Sequence, residues 1–416
     1  MRTVLLAAAL VAVSFASAPA APTAAPSALP VPAASSAPSP AATTLSDFAR
    51  ARLDAMFRTG HADAAWFSAS FLAQVPVAKV DAILAQIGAA LGSYRSIDGA
   101  DGDYTARFEH GTNEALVHLD ADDRIDGLFF KPPKRQSASL DDALRGLRPA
   151  SGTLAYVIVE DRSERAALEA ATPLAVGSAF KLAVLAAVRD EIGRGRRHWS
   201  DVVPLDARWK SLPSGVLQTW PGGTPVTLAT YAAEMISVSD NTAADALARL
   251  AGPAALAPYA VRNTPFLTTR EAFVLKSAPG ASQRAAYLAA ATPGARAAVL
   301  RAVDALPLPA VAALDSKPIL AVEWHYSVRE LCALMDRVAD LPLVSIDPGV
   351  ADAAAFRHVA YKGGSDTGVI NLTTQVTTKR GTRFCFSATL NDPARAVDDG
   401  AFAAAYGTVL GVLEKR

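Results

Sequence analysis

Ser178 and Lys181 stand three apart in "AVGSAFKLAVLAAV" (175–188). Residues three apart share one face of a helix, so the ammonium can reach the hydroxyl. Lys181 is followed by Leu182, Ala183, Val184, Leu185, Ala186 and Ala187, a run apolar on every side, which predicts a buried helix. Burial disfavours the charged amine and lowers its pKa. A neutral amine beside a hydroxyl is a general base for a nucleophile that is otherwise inert at neutral pH. A serine near a helix N-terminus also has backbone N–H groups and the positive dipole end beside it, both suited to a developing oxyanion. Taken alone, S-x-x-K is weak, because a surface Ser–Lys pair one turn apart gives the same letters.

Two later stretches change its weight. "ISVSDNTAADAL" carries Ser239, Asp240 and Asn241 between two helical patterns. All three residue types are ordinary helix caps. "YKGGSDTGVI" carries Lys362, Gly363, Gly364 and Ser365 at the end of a strand, which also reads as a hairpin turn with an exposed lysine. The three groups in this order, on helix, loop and strand, point to one assembled site.

With those motifs in hand, residues 152–416 resemble the serine β-lactamase and penicillin-binding-protein superfamily. They are most similar to class A β-lactamases, with S-x-x-K, S-D-N and a variant of K-T-G in order. The resemblance implies a nucleophile at Ser178, a proton acceptor at Lys181 and a relay at Ser239 toward the leaving nitrogen. It implies that Asn241 holds a substrate amide, and that Lys362 faces a substrate carboxylate with Ser365 and Thr367 as hydroxyl donors. The backbone N–H groups of Ser178 and Ser365 would form the oxyanion hole, with Gly364 between them and the lysine. No cofactor or metal is implied. The partner is a small molecule: a β-lactam, an ester or a peptide.

Two positions depart from the family pattern. Gly363 stands where the motif has threonine and brings no hydroxyl. Class A enzymes also carry a loop glutamate that activates the deacylating water. The only candidate, Glu271, falls in Thr268-Thr269-Arg270-Glu271, which reads as a capping box. The loop over 255–267 lacks a catalytic carboxylate, so acylation of Ser178 is expected and rapid deacylation is not. A capping box also occurs at Ser327–Glu330, and Trp324 and His325 before it read as packing. Asp366-Thr367-Gly368 is a single D-T-G triplet, whereas an aspartic protease needs two such carboxylates.

The elements that must position these groups can be outlined. Strands over 154–159 and 166–170 lead into the Ser178 helix. Helical patterns fill 226–250, 270–302 and 326–339; strands return at 356–361, 367–378 and 382–390; a helix over 396–413 closes the chain. The fold class is therefore α/β (α+β sandwich), with an antiparallel five-stranded sheet built from both chain ends, flanked by helices, plus an all-helical subdomain. Before it, residues 45–133 show helices over 45–58 and 77–91 and strands over 103–109, 114–120 and 124–130. This small α+β part resembles the cone-like fold of nuclear-transport-factor-like and steroid-isomerase-like proteins, and reads as a packing or substrate-shaping module. Residues 134–151 connect the two. The two-part arrangement, with "EWHYS" before a helix, is similar to β-lactamase-like proteins of clavulanic-acid gene clusters.

Composition bounds the rest. The 416 residues hold 40 Lys+Arg and 40 Asp+Glu, so no net field favours nucleic acid or an anionic membrane. Residues 1–20 read as a signal peptide: Arg2, an apolar run from Val4 to Val13 too short to span a bilayer, and Ala18-Pro19-Ala20 as cleavage site. Residues 21–44, rich in Ala, Pro and Ser, read as a disordered linker. The expectation is an exported monomer, periplasmic or extracellular. Cys332 and Cys385 are the only cysteines. In an oxidising compartment they either form one bridge or remain two buried thiols.

Overall fold

A computed structural model describes residues 45–131, 133–135 and 139–416. The expected leader (1–20) and the Ala/Pro/Ser linker (21–44) lie outside the described residues.

Helices α1 (Leu45–Thr59), α2 (Ala69–Gln74) and α3 (Val77–Leu91) come first. Val80, Leu84, Ile87 and Leu91 of α3 are buried, the spacing of one helix face. The meander that follows has four antiparallel strands: β1 (Tyr94–Ala100), β2 (Asp103–Phe108), β3 (Gly111–Leu119) and β4 (Ile125–Phe130). A short β5 (Lys134–Arg135) also pairs with β3. Sequence periodicity missed β1 because only Ile97 of its seven residues is buried, so nothing alternates. The helices cover the inner face of the sheet around Leu53, Met56, Phe57, Leu84, Ile97, Tyr104 and Phe108. Lys134 bonds both Glu114 of β3 and Asp352 (3.1 Å), tying this part to the later chain.

The larger part begins with α4 (Leu140–Arg145), then β6 (Thr153–Glu160), β7 (Ser163–Leu168), β8 (Leu174–Ala175) and α5 (Lys181–Gly193). A paired β9 (Val202–Pro204) and β10 (Pro225–Thr227) follow. The helical middle holds α6 (Leu228–Ser237), α7 (Asn241–Leu256), α8 (Thr269–Leu275), α9 (Ala281–Ala289) and α10 (Pro293–Asp304). The last stretch is β11 (His325–Tyr326), α11 (Val328–Val338), β12 (Phe356–Asp366), β13 (Val369–Thr378), β14 (Arg383–Asn391) and α12 (Asp399–Leu413).

Helical periodicity ran across breaks that local chemistry makes. Ser239 takes a left-handed φ of 56° between α6 and α7. Thr292 caps α10 with Pro293 at its first position.

The sheet order is β12-β13-β14-β6-β7, antiparallel throughout, so strands from both ends of the larger part build one sheet. β13 and β14 are buried along nearly their whole length because both faces are covered. On one face α12 packs Phe402, Tyr406 and Leu410 against Phe384 and Phe386. Tyr406 stacks on Phe386 at 4.1 Å and donates to its carbonyl at 2.6 Å. On the other face lie α5 and α11, and the Cys332–Cys385 disulfide joins α11 to β14. Of the two readings of the cysteines, the bridge is the one present.

Candidate active site

Ser178 lies in a 3₁₀ turn, Gly177–Phe180, that enters α5 at Lys181. The turn is held from behind. The Val176 N–H donates to the Trp324 carbonyl (3.0 Å), β8 pairs with β11, and the Trp324 indole stacks on Phe180 at 3.9 Å. Trp324 Nε1 donates to the Leu267 carbonyl (3.0 Å), and the His325 N–H donates to Asn263 Oδ1 (2.8 Å). Trp324 and His325 thus pack behind the site, as their place before a capped helix suggested.

In front, the turn meets the edge strand β12 backbone to backbone. A Cβ on Gly364 would fall 2.4 Å from the Ser178 nitrogen and 2.3 Å from the Val176 oxygen. A Cβ on Gly177, whose φ is +51°, would fall 2.9 Å from the Ser365 nitrogen. Only glycine fits at either position, and the close approach brings the Ser178 and Ser365 backbone nitrogens into one place.

Lys181 is 0% exposed and sits at the centre. Its Nζ lies 3.1 Å from Ser178 Oγ and 3.0 Å from Ser239 Oγ. It donates to the Ser239 carbonyl (2.6 Å) and to Asn241 Oδ1 (2.7 Å). The Asn241 amide cannot turn over, because its Nδ2 donates to the Leu212 carbonyl at 3.0 Å. Burial drives the lysine pKa well below its ordinary value; the Lys362 charge adds to this, and Asp240 and Asp245 oppose it. A neutral amine has two N–H donors and one lone pair. The Ser239 carbonyl and Asn241 Oδ1 are pure acceptors and take both donors. The lone pair is left facing hydroxyl groups.

Lys362 is 3% exposed; its Nζ donates to Ser239 Oγ (3.1 Å) and to the Gly363 carbonyl (2.7 Å). Burial lowers its pKa to about 8, against the pull of Asp347. Ser239 Oγ therefore touches both lysines. Its loop is fixed by Asp240, whose carboxylate accepts from the Val216 (2.6 Å), Leu217 (2.8 Å) and Ala243 (2.8 Å) N–H groups. The structure thus brings Ser178, Lys181, Ser239, Asn241 and Lys362 into one hydrogen-bonded cluster, with Gly364 and Ser365 against its wall. The lysine and both glycines lie within β12, not in a turn after it. Thr367 stands in the turn between β12 and β13, its N–H bonded to Asp366 Oδ1 (2.6 Å).

A family model described as "Beta-lactamase enzyme family" matches residues 140–305, a span holding Ser178, Lys181, Ser239 and Asn241. The chain has a β-lactamase-like fold. Among solved structures it is similar to a β-lactamase from Sphaerobacter thermophilus DSM 20745: 19% identity, TM-score 0.47, over 66% of this chain and 94% of that one. It is similar to a β-lactamase from Desulfarculus baarsii DSM 2075: 17% identity, TM-score 0.45, over 67% and 99%. It is also similar to PBP-A: 14% identity, TM-score 0.43, over 68% and 98%. At these identities the likeness is one of fold. No curated protein matches the chain.

Two features of this β-lactamase-like fold bear on the departures noted in the sequence. A Cβ on Gly363 would lie 2.2 Å from Tyr361 Oη, so the tyrosine hydroxyl fills the space a side chain would need there. Glu271 closes the capping box of α8, its Oε2 accepting from the Thr268 N–H (2.7 Å) and hydroxyl (2.8 Å). The chain between α7 and α8, residues 257–268, contains no acidic residue.

Sequence reading missed three charged groups near the site. Lys276 is the C-cap residue of α8, Glu323 precedes Trp324, and Asp366 ends β12. Lys276 bonds both carboxylates, reaching Asp366 Oδ2 at 2.6 Å. Only Asp366 carried a signal, the D-T-G triplet, and that pointed to another chemistry. No spacing rule joins residues so far apart in the chain.

Proposed function

We propose that this protein is an exported serine hydrolase that is acylated at Ser178, with a β-lactam as the first substrate class. The observation that carries the reading is the double engagement of Lys181 by the Ser239 carbonyl and Asn241 Oδ1. It leaves one lone pair, and Ser178 Oγ is 3.1 Å away. The hydroxyl proton passes to Lys181 Nζ as Oγ bonds the substrate carbonyl carbon. The Ser178 and Ser365 N–H groups receive the oxyanion. When the tetrahedral adduct collapses, the C–N bond breaks, and Ser239 Oγ passes a proton from Lys181 to the leaving nitrogen. Lys362, buried and beside Ser239, faces a substrate carboxylate.

Deacylation is the weak step. With no acid on the 257–268 loop and Glu271 committed to a cap, Lys181 is the base at hand for the attacking water. This favours a second reading, in which the acyl-enzyme persists and the protein is a non-turnover binder of β-lactams or cell-wall peptides; an esterase or a D,D-peptidase-like acylase is the alternative that turns over. The disulfide supports export to an oxidising compartment.

Intact-mass measurement after mixing with a penicillin tests the reading: an adduct is expected on the native protein and none on Ser178→Ala. A chromogenic cephalosporin then separates turnover from trapping. No adduct, no turnover and no ester cleavage would refute it.

A further inference from the structure

The cluster of Lys276, Glu323 and Asp366 is expensive as a stabilising device. Taking three charged groups out of water usually costs more than packing apolar side chains in the same volume. Glu323 and Lys276 are both buried, and Lys276 is the only cation among the three. The place of the cluster accounts for it.

β12 is an edge strand, and Asp366↔Val369 is the last pair of its ladder with β13 before the turn at Thr367 and Gly368. The last pair of an edge ladder is where local opening costs least. Ser365 is the neighbouring residue, and its nitrogen lies against Gly177. Lys276, at the end of α8, holds this strand end by its one carboxylate. The same lysine bonds Glu323, and the next residue, Trp324, accepts the Val176 N–H and stacks on Phe180. The dipeptide Glu323-Trp324 therefore grips both partners of the Ser178–Ser365 pair. Trp324 holds the Ser178 turn, and Glu323, through Lys276 and Asp366, holds the Ser365 strand.

We propose that Lys276, Glu323 and Asp366 form a clasp that sets the Ser365 N–H opposite the Ser178 N–H, with Lys276 as the positioning residue. This rests on the acylation of Ser178 proposed above.

The proposed clasp includes a proton shared by its two carboxyls. Glu323 Oε2 is buried with no N–H or O–H donor among the described residues, and Lys276 Nζ bonds both the Glu323 and the Asp366 carboxyls, which brings them side by side. Two carboxyl oxygens meet there only with a proton between them. Burial raises the Glu323 pKa to about 7, while Lys276 and the contacts around Asp366 keep the aspartate below its ordinary range despite its own burial. Glu323 is thus the carboxyl that holds the proton. The charged groups facing it are Lys276 from α8 and Asp366 from β12; His325, on β11, is held neutral by burial and by Lys276. As pH rises through 7 the proton leaves, two carboxylates face each other, and the clasp loosens.

The test uses the full chain with three variants. In Lys276→Met, hydrogen exchange of amides 363–367 at pH 7 should rise roughly tenfold or more, with β13 and β14 otherwise unchanged. Penicillin acylation of Ser178 should slow by about 10- to 100-fold, and Lys276→Arg should recover most of it. Glu323→Gln replaces the shared proton with an amide N–H. It should keep acylation and abolish the loss of protection at 363–367 that the native protein shows between pH 6 and 9, while the alkaline loss of penicillin binding set by Lys362 remains. Native exchange at 363–367 in Lys276→Met, or an unchanged pH dependence of that protection in Glu323→Gln, overturns the clasp. If the native protein forms no adduct while the exchange changes appear as expected, the clasp stands and the acylation reading fails.

Discussion

At the scale of single residues, the two buried lysines divide the work by their surroundings. Lys181 is ringed by acceptors that fix the lone pair of its neutral form, and burial favours that form by driving its pKa well below the ordinary value. Lys181→Met should therefore lose acylation by roughly 10²- to 10⁴-fold, the span of general-base catalysis, while the unfolding midpoint holds or rises. Adduct formation followed by mass, beside a thermal melt, checks both; normal acylation would make Lys181 a packing residue. Lys362 keeps its charge to about pH 8. Above that pH it becomes neutral, so affinity for a β-lactam bearing a carboxylate should fall between pH 7 and 9, by up to about tenfold per unit at the alkaline end. An ester without a carboxylate should bind unchanged. Stability moves the other way: between pH 8 and the unfolded value near 10.5 the unfolded chain binds more protons, so this group adds stability as pH rises.

At the scale of elements, the site is a meeting of ends: a 3₁₀ turn, the loop between α6 and α7, and an edge strand. Their contact depends on Gly177 and Gly364, and their rear support on the Trp324–Phe180 stack. α8 lies beneath, its first turn tied down by Asp245. That carboxylate is buried and accepts from the Thr269 N–H (2.6 Å) and the Arg270 N–H (2.9 Å); burial raises its pKa to about 7 against those bonds. Glu271 belongs to the same helix start. Glu271→Gln should cost at most about 1 kcal/mol, because glutamine also closes a capping box. Acylation and turnover should be unchanged. A selective loss of turnover with an unchanged melt would make Glu271 the hydrolytic base.

At the scale of the whole molecule, strands from both ends of the larger part build one sheet, and one covalent cross-link fastens α11 to β14 behind the site. The bridged residues are 53 apart. Loop-closure entropy then assigns the bond about 4 kcal/mol. Reduction, or replacement of both cysteines by serine, should lower the unfolding free energy by an amount of that order, read from a denaturation curve. An unchanged denaturation curve would mean that the fold does not rely on the bridge. Lys134, shared between Glu114 and Asp352, fastens the amino-terminal α+β part to the rest.

The sequence alone determined what short-range rules can carry. Ser178 and Lys181 share one turn, Thr268 and Glu271 a capping box, and the apolar run over 154–159 predicts the buried strand β6, because each depends on residues within a few positions of one another. Tertiary structure decided the rest. Strand β1 escaped notice for want of an apolar rhythm. The Ser178–Ser365 approach, the tyrosine hydroxyl over Gly363, the disulfide and the Lys276–Glu323–Asp366 cluster join residues from separate elements. Such contacts are set by how strands pair and helices stack, and no periodicity in the chain records which distant partner a buried charge will meet.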